Sequence, residues 1–132
     1  QSGPLPKLLI VDDEVKIGRL LALMVKNEFD AEVMGESDKA IERIKEQKYD
    51  LVVTDLQMPK FSGLDVIAMV QSEQPETPVL LMSGNGDGDV KVQKALASGA
   101  LAVLDKPFKD PKSVREFLTS HLRAPHGIKS VA

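Results

Sequence analysis

Leu8-Leu9-Ile10-Val11-Asp12-Asp13 runs four consecutive apolar residues straight into two acids. An apolar run this short predicts a central parallel strand, covered on both faces, with the acids at its carboxyl end. Outward from it, the pattern recurs. Ile17, Leu20, Leu21 and Met24 fall at helical spacing and make one apolar face. Ala31 to Met34 suits a short second strand, and Ser37 suits the N-cap of a helix carrying Ala40, Ile41 and Ile44. Leu51-Val52-Val53 is a third strand ending at Thr54-Asp55. After the Met58-Pro59 break, Leu64, Ile67 and Ala68 mark a third helix that should stop before Pro75. Val79-Leu80-Leu81-Met82 is a fourth strand, followed by Ser83 and the glycine-rich stretch Gly84-Asn85-Gly86-Asp87-Gly88. Val92, Ala95, Leu96 and Gly99 repeat with helical period, and Ala102-Val103-Leu104 makes a last strand. Asp110-Pro111, a cap followed by proline at the first helical position, opens a helix with Val114, Phe117 and Leu118 inward.

Strands alternating with helices predict an α/β fold with a parallel sheet and right-handed crossovers. In such sheets the functional site lies beyond the carboxyl ends of the strands, near a switch in strand order. Those ends carry Asp12 and Asp13, then Asp55, Ser83 and Lys106. Clustered carboxylates repel, and each holds its proton unless a cation is supplied. Lys106 brings one positive charge, so the cluster predicts a Mg²⁺ site, since hard carboxylate oxygens suit that ion. A carboxylate is also a competent nucleophile toward phosphorus. Phosphoryl transfer needs positioning and charge neutralisation more than acid–base groups, and no histidine lies at these ends.

Composition narrows the alternatives. With 132 residues, 42% hydrophobic and 28% charged, the chain is expected to form one compact domain over 7–122. Residues 1–6, beginning Gln1-Ser2-Gly3-Pro4, are expected to be a tail or expression scar, and 123–132 a tail or linker. The absence of cysteine excludes disulfides and thiolate chemistry. A net charge of −3 gives no case for nucleic-acid binding, and no apolar run approaches a membrane span, so a cytoplasmic protein is expected. The glycine-rich stretch lacks a P-loop lysine. His121 and His126 fall far from the strand ends, Lys91 and Lys94 read as a solvated helix face, and Met24, Met34, Met69 and Met82 read as core filler.

Val11-Asp12-Asp13-Glu14, Asp55-Leu56-Gln57-Met58-Pro59 with Gly63, Ser83-Gly84, Gly99-Ala100 and Lys106-Pro107-Phe108 together resemble the receiver domain of two-component response regulators, over Lys7 to Leu122. Each motif alone is weak; the set in this order and spacing is specific. The resemblance implies a flavodoxin-like three-layer αβα sandwich with strand order 2-1-3-4-5 and five alternating helices. It also implies a phosphoryl-accepting switch rather than an enzyme, served by a histidine kinase or histidine phosphotransfer protein and acting on an unknown output. Asp55 matches the phosphoacceptor, Asp13 the direct metal ligand, and Asp12 an acid acting mainly through metal-bound water. The Gln57 carbonyl matches the remaining metal ligand, Ser83 the hydroxyl that moves toward the phosphoryl group, and Lys106 the lysine that pairs with it. A cis bond between Lys106 and Pro107 is implied as well. One position departs: the family's usual Tyr or Phe three residues before the lysine is Val103 here, and a β-branched side chain cannot perform a ring flip. The switch is then expected to run through the loop Gly84 to Gly88.

Taken singly, an Asp or Ser at a strand end is a turn or cap residue, and Lys106 a surface charge. Two rival functions use the same residues. A phosphatase of the haloacid dehalogenase type also has an Asp nucleophile and Mg²⁺, but usually a second Asp two positions on, where this chain has Gln57. A phosphorylation-independent interaction module usually lacks an acid or the lysine, and this chain keeps all of them.

Overall fold

The computed structural model describes residues 4–84 and 88–122. Strands and helices alternate throughout: β1 (Lys7–Val11), α1 (Val15–Met24), β2 (Asp30–Met34), α2 (Ser37–Glu46), β3 (Leu51–Asp55), α3 (Gly63–Glu73), β4 (Val79–Ser83), α4 (Val90–Ala97), β5 (Val103–Asp105) and α5 (Pro111–Ser120). The strands form one parallel sheet in the order β2-β1-β3-β4-β5. The expected α/β sandwich with its strand order is therefore the observed one. Of the glycine-rich stretch, Asn85-Gly86-Asp87 lie outside the described residues, and with them most of the expected switch loop.

The alternation of side chains along each strand builds the layers. In β1, Leu8 and Ile10 pack with Leu21 of α1, with Val25 just after that helix, and with Val114 and Leu118 of α5. Leu9 and Val11 face the other way, onto Ala40, Ile41 and Ile44 of α2, Val66, Ile67 and Val70 of α3, and Val92 and Ala95 of α4. All four strand residues are fully buried. Truncating one of them to alanine would cost roughly 2–5 kcal/mol.

Two local readings need correction. Leu20 does not belong to the inward face of α1: it is 44% exposed, and Leu23 is 62% exposed. Gly18 supplies the close approach instead, since a Cβ there would meet Val33 at 2.8 Å. Ser37 is the first residue of α2 rather than its cap, and its hydroxyl bonds to Pro59 and Phe61. Asp110 does cap α5, accepting from Lys112 N, with Pro111 at the first turn. Met82 is fully buried, whereas Met24, Met34 and Met69 are partly buried at the edges of the two cores.

Candidate functional site

The strand order reverses direction at β1 and β3, which are paired neighbours with Val11 beside Thr54. The next residues on each strand, Asp12 and Asp55, therefore emerge side by side. Asp12 is fully buried and its carboxylate Oδ1 accepts from Glu14 N at 2.9 Å, turning the chain into α1. Asp13, one residue on, is exposed. Carboxylate oxygens of Asp12, Asp13 and Asp55 lie within 4.8 Å of one another.

β4 and β5 bring up the remaining groups. Ser83 ends β4, is 5% exposed, and its carbonyl accepts from Lys106 N at 2.9 Å. The bond from Lys106 to Pro107 is cis, as the resemblance implied. The Lys106 ammonium then reaches back across the sheet end, 3.3 Å from Asp55 Oδ1 and 3.5 Å from Asp12 Oδ2. Glu14 lies 3.9 Å from the same nitrogen but is largely solvated, so that contact adds little. Asp55, Gln57, Ser83 and Lys106 line one pocket of about 280 Å³ together with Glu14, Leu56, Gly84 and Asp89. Glu14, quoted only within the first motif, and Asp89 were given no role from the sequence. Adjacency to Asp13 was the available signal for the first, and a cap position at the start of α4 for the second.

Asp12, Asp55 and Lys106 shift in one direction. Burial pushes the Asp12 carboxyl up to about 6, with Asp55 adding to the effect, against the Glu14 N–H and Lys106. Burial also raises Asp55, opposed by Lys106 and by the Leu56 N–H on its Oδ1, with Asp13 adding a smaller push upward. Burial alone would lower Lys106, but the carboxylates of Asp55 and Asp12 outweigh it and raise the ammonium. Asp12 and Asp55, chiefly through burial, and Lys106, through its carboxylate neighbours, hold their protons more tightly, and added positive charge would relieve the two acids. The donor set is hard oxygen throughout, so the residues present fit a small divalent cation better than a soft transition metal.

The loop after Asp55 is built to a fixed shape. Gly63 N donates to the Leu56 carbonyl at 2.7 Å, and a Cβ on Gly63 would sit 2.5 Å from the Asp55 carbonyl oxygen, so only glycine lets α3 start this close. Ser62 caps α3 in a reciprocal box with Asp65. The side chain of Gln57 is exposed and that of Met58 packs against the core. Val103, at the position the resemblance makes aromatic, is partly buried against the core under α2, α3 and α4. His121 stacks edge-on against Phe117 near the end of α5 and takes no part in the pocket.

Comparison with known proteins bears on the family and the fold. The response regulator protein PilR of Pseudomonas aeruginosa is 36% identical over 118 residues, covering 89% of this chain and 26% of PilR. The DNA-binding response regulator MtrA of Mycobacterium tuberculosis is 31% identical over 118 residues, covering 89% of this chain and 50% of MtrA. The chain thus spans a quarter to a half of these curated relatives. Among solved structures, the chemotaxis response regulator CheY4 of Vibrio cholerae superposes with a TM-score of 0.78 at 24% identity, over 88% of this chain and 98% of CheY4, a likeness of fold. With the model of the response regulator receiver domain family matching residues 8–118, the chain belongs to that family.

Proposed function

We propose that this chain is a phosphoryl-accepting signalling switch in which Asp55 takes a phosphoryl group from the phosphohistidine of a histidine kinase or histidine phosphotransfer protein. One observation carries the reading: Asp12, Asp13 and Asp55 converge within 4.8 Å beside the ammonium of Lys106. A carboxylate oxygen of Asp55 forms the new O–P bond as the donor's N–P bond breaks, and the imidazole leaves with the electron pair and takes up a proton. Lys106 would neutralise charge on the phosphoryl oxygens, and the Ser83 hydroxyl would donate to one of them. Asp12, Asp13, Asp55 and the Gln57 carbonyl would hold Mg²⁺, which when bound supplies the countercharge these acids lack and neutralises the transferring group. Position 57 offers an amide where a dehalogenase-type phosphatase has its second acid, so rapid hydrolysis has no acid there to drive it.

Incubation with acetyl phosphate tests the proposal. Intact-mass measurement should show one added phosphoryl group with Mg²⁺, and none when the metal is chelated or in Asp55→Asn. Labelling that survives in Asp55→Asn would overturn it.

A further inference from the structure

Ser37 is 2% exposed and sits at the start of α2, a helix without a side-chain cap. Its hydroxyl is used at long range instead. It donates to the Pro59 carbonyl at 2.7 Å and accepts from the Phe61 N–H at 3.0 Å. Next to it, Asp38 accepts from the Lys60 ammonium at 3.2 Å, and Lys60 is the non-glycine residue held at φ 71°. A lysine in that conformation stands about 1–2 kcal/mol above the ordinary helical or extended well, so the surrounding bonds hold the loop in place. Residues 59, 60 and 61 are therefore fastened to α2. The other end of the loop is fastened to β3 and α3 by the Gly63 N–H on the Leu56 carbonyl. Gln57 and Met58 lie between the two anchors.

We propose that Ser37 is a positioning residue for the divalent-cation site, setting through Pro59 and Phe61 where the Gln57 carbonyl stands relative to Asp55. The inference rests on the reading above, in which that carbonyl and the three acids hold Mg²⁺. Residues that orient a metal's direct ligands commonly change affinity ten- to a hundred-fold when removed. A hydroxyl that makes two bonds to one short loop, from a helix distant in sequence, is well placed for that effect.

Calorimetric titration with Mg²⁺ alone, at a temperature where every variant is folded, tests it. Ser37→Ala should bind Mg²⁺ roughly ten-fold more weakly than the parent. Ser37→Thr, which keeps the hydroxyl, should bind close to the parent. Gln74→Ala, destabilised far from the pocket, should bind as the parent does. Unchanged affinity in Ser37→Ala, while Asp13→Ala loses binding, overturns the role of Ser37 and leaves the metal reading standing. No Mg²⁺ binding by the parent overturns both. Equal weakening in Gln74→Ala shows general softening and also overturns the proposal. Should Ser37→Ala not fold, Ser37→Cys, nearly isosteric and a poor hydrogen-bonding partner, is judged by the same outcomes.

Discussion

Replacing Asp12 by Asn removes a charge that the metal-free fold accommodates at a cost. The carboxyl's ordinary value is 3.8 and burial lifts it to about 6. At about 1.4 kcal/mol per pH unit, ionising it inside the fold costs about 3 kcal/mol more than ionising it in the unfolded chain. That figure already includes the attraction of Lys106. Asn keeps the oxygen that accepts from Glu14 N but turns an amide toward the ammonium, which subtracts from the gain. The expected result is a variant more stable than the parent by about 1–3 kcal/mol at pH 8.

The sign follows from the direction of the shift. A raised carboxyl binds more protons folded than unfolded, so its stabilising contribution is complete below about 3.8 and is lost as pH rises through about 6. The gap between Asp12→Asn and parent should therefore close near pH 3.5 and open fully by pH 8. Urea unfolding in the presence of a chelator measures it at both values. Mg²⁺ should reverse the order at pH 8, because a ligand at a thousand times its Kd adds about 4.1 kcal/mol to the parent alone. A variant less stable than the parent at pH 8 without metal, or a gap equal at both pH values, would refute the charge-deficit argument.

Asp13→Ala should abolish most Mg²⁺ affinity by calorimetry while changing metal-free stability by no more than about 0.5 kcal/mol, since the side chain is exposed. Gly63→Ala should cost roughly 1–3 kcal/mol in urea unfolding and slow phosphorylation by acetyl phosphate, because its Cβ would press on the Asp55 backbone at 2.5 Å. Gln74→Ala should cost at least about 3 kcal/mol. Its buried amide accepts from Tyr49 N and donates to the carbonyls of Ile44 and Gln47, and the variant strands all three backbone groups.

The sheet and its rim were legible in the sequence because both are written locally. Apolar runs such as Leu8 to Val11 mark strands buried on both faces, and chain direction alone then places Asp12, Asp55, Ser83 and Lys106 at one edge. What local pattern cannot show is a side chain spent at a distance. Ser37 has the residue type and position of a cap, yet its partners are 22 and 24 residues away. Gln74, at the end of α3, reads as a polar surface residue, but its amide reaches 25 to 30 residues back to α2 and the connection that follows it. Leu20 satisfies the helical period of α1 as well as Leu21 does. Which of the two turns inward depends on Gly18 packing at Val33, a contact with β2 that no window of α1 contains.

The central claim is that Asp55, and none of the neighbouring acids or Ser83, carries the phosphoryl group. After reaction with acetyl phosphate and Mg²⁺, borohydride reduces an aspartyl phosphate to homoserine, which peptide sequencing by mass spectrometry locates. Homoserine at position 55 alone is the predicted result. Homoserine at position 12 or 13, or a phosphate retained on Ser83, would contradict it.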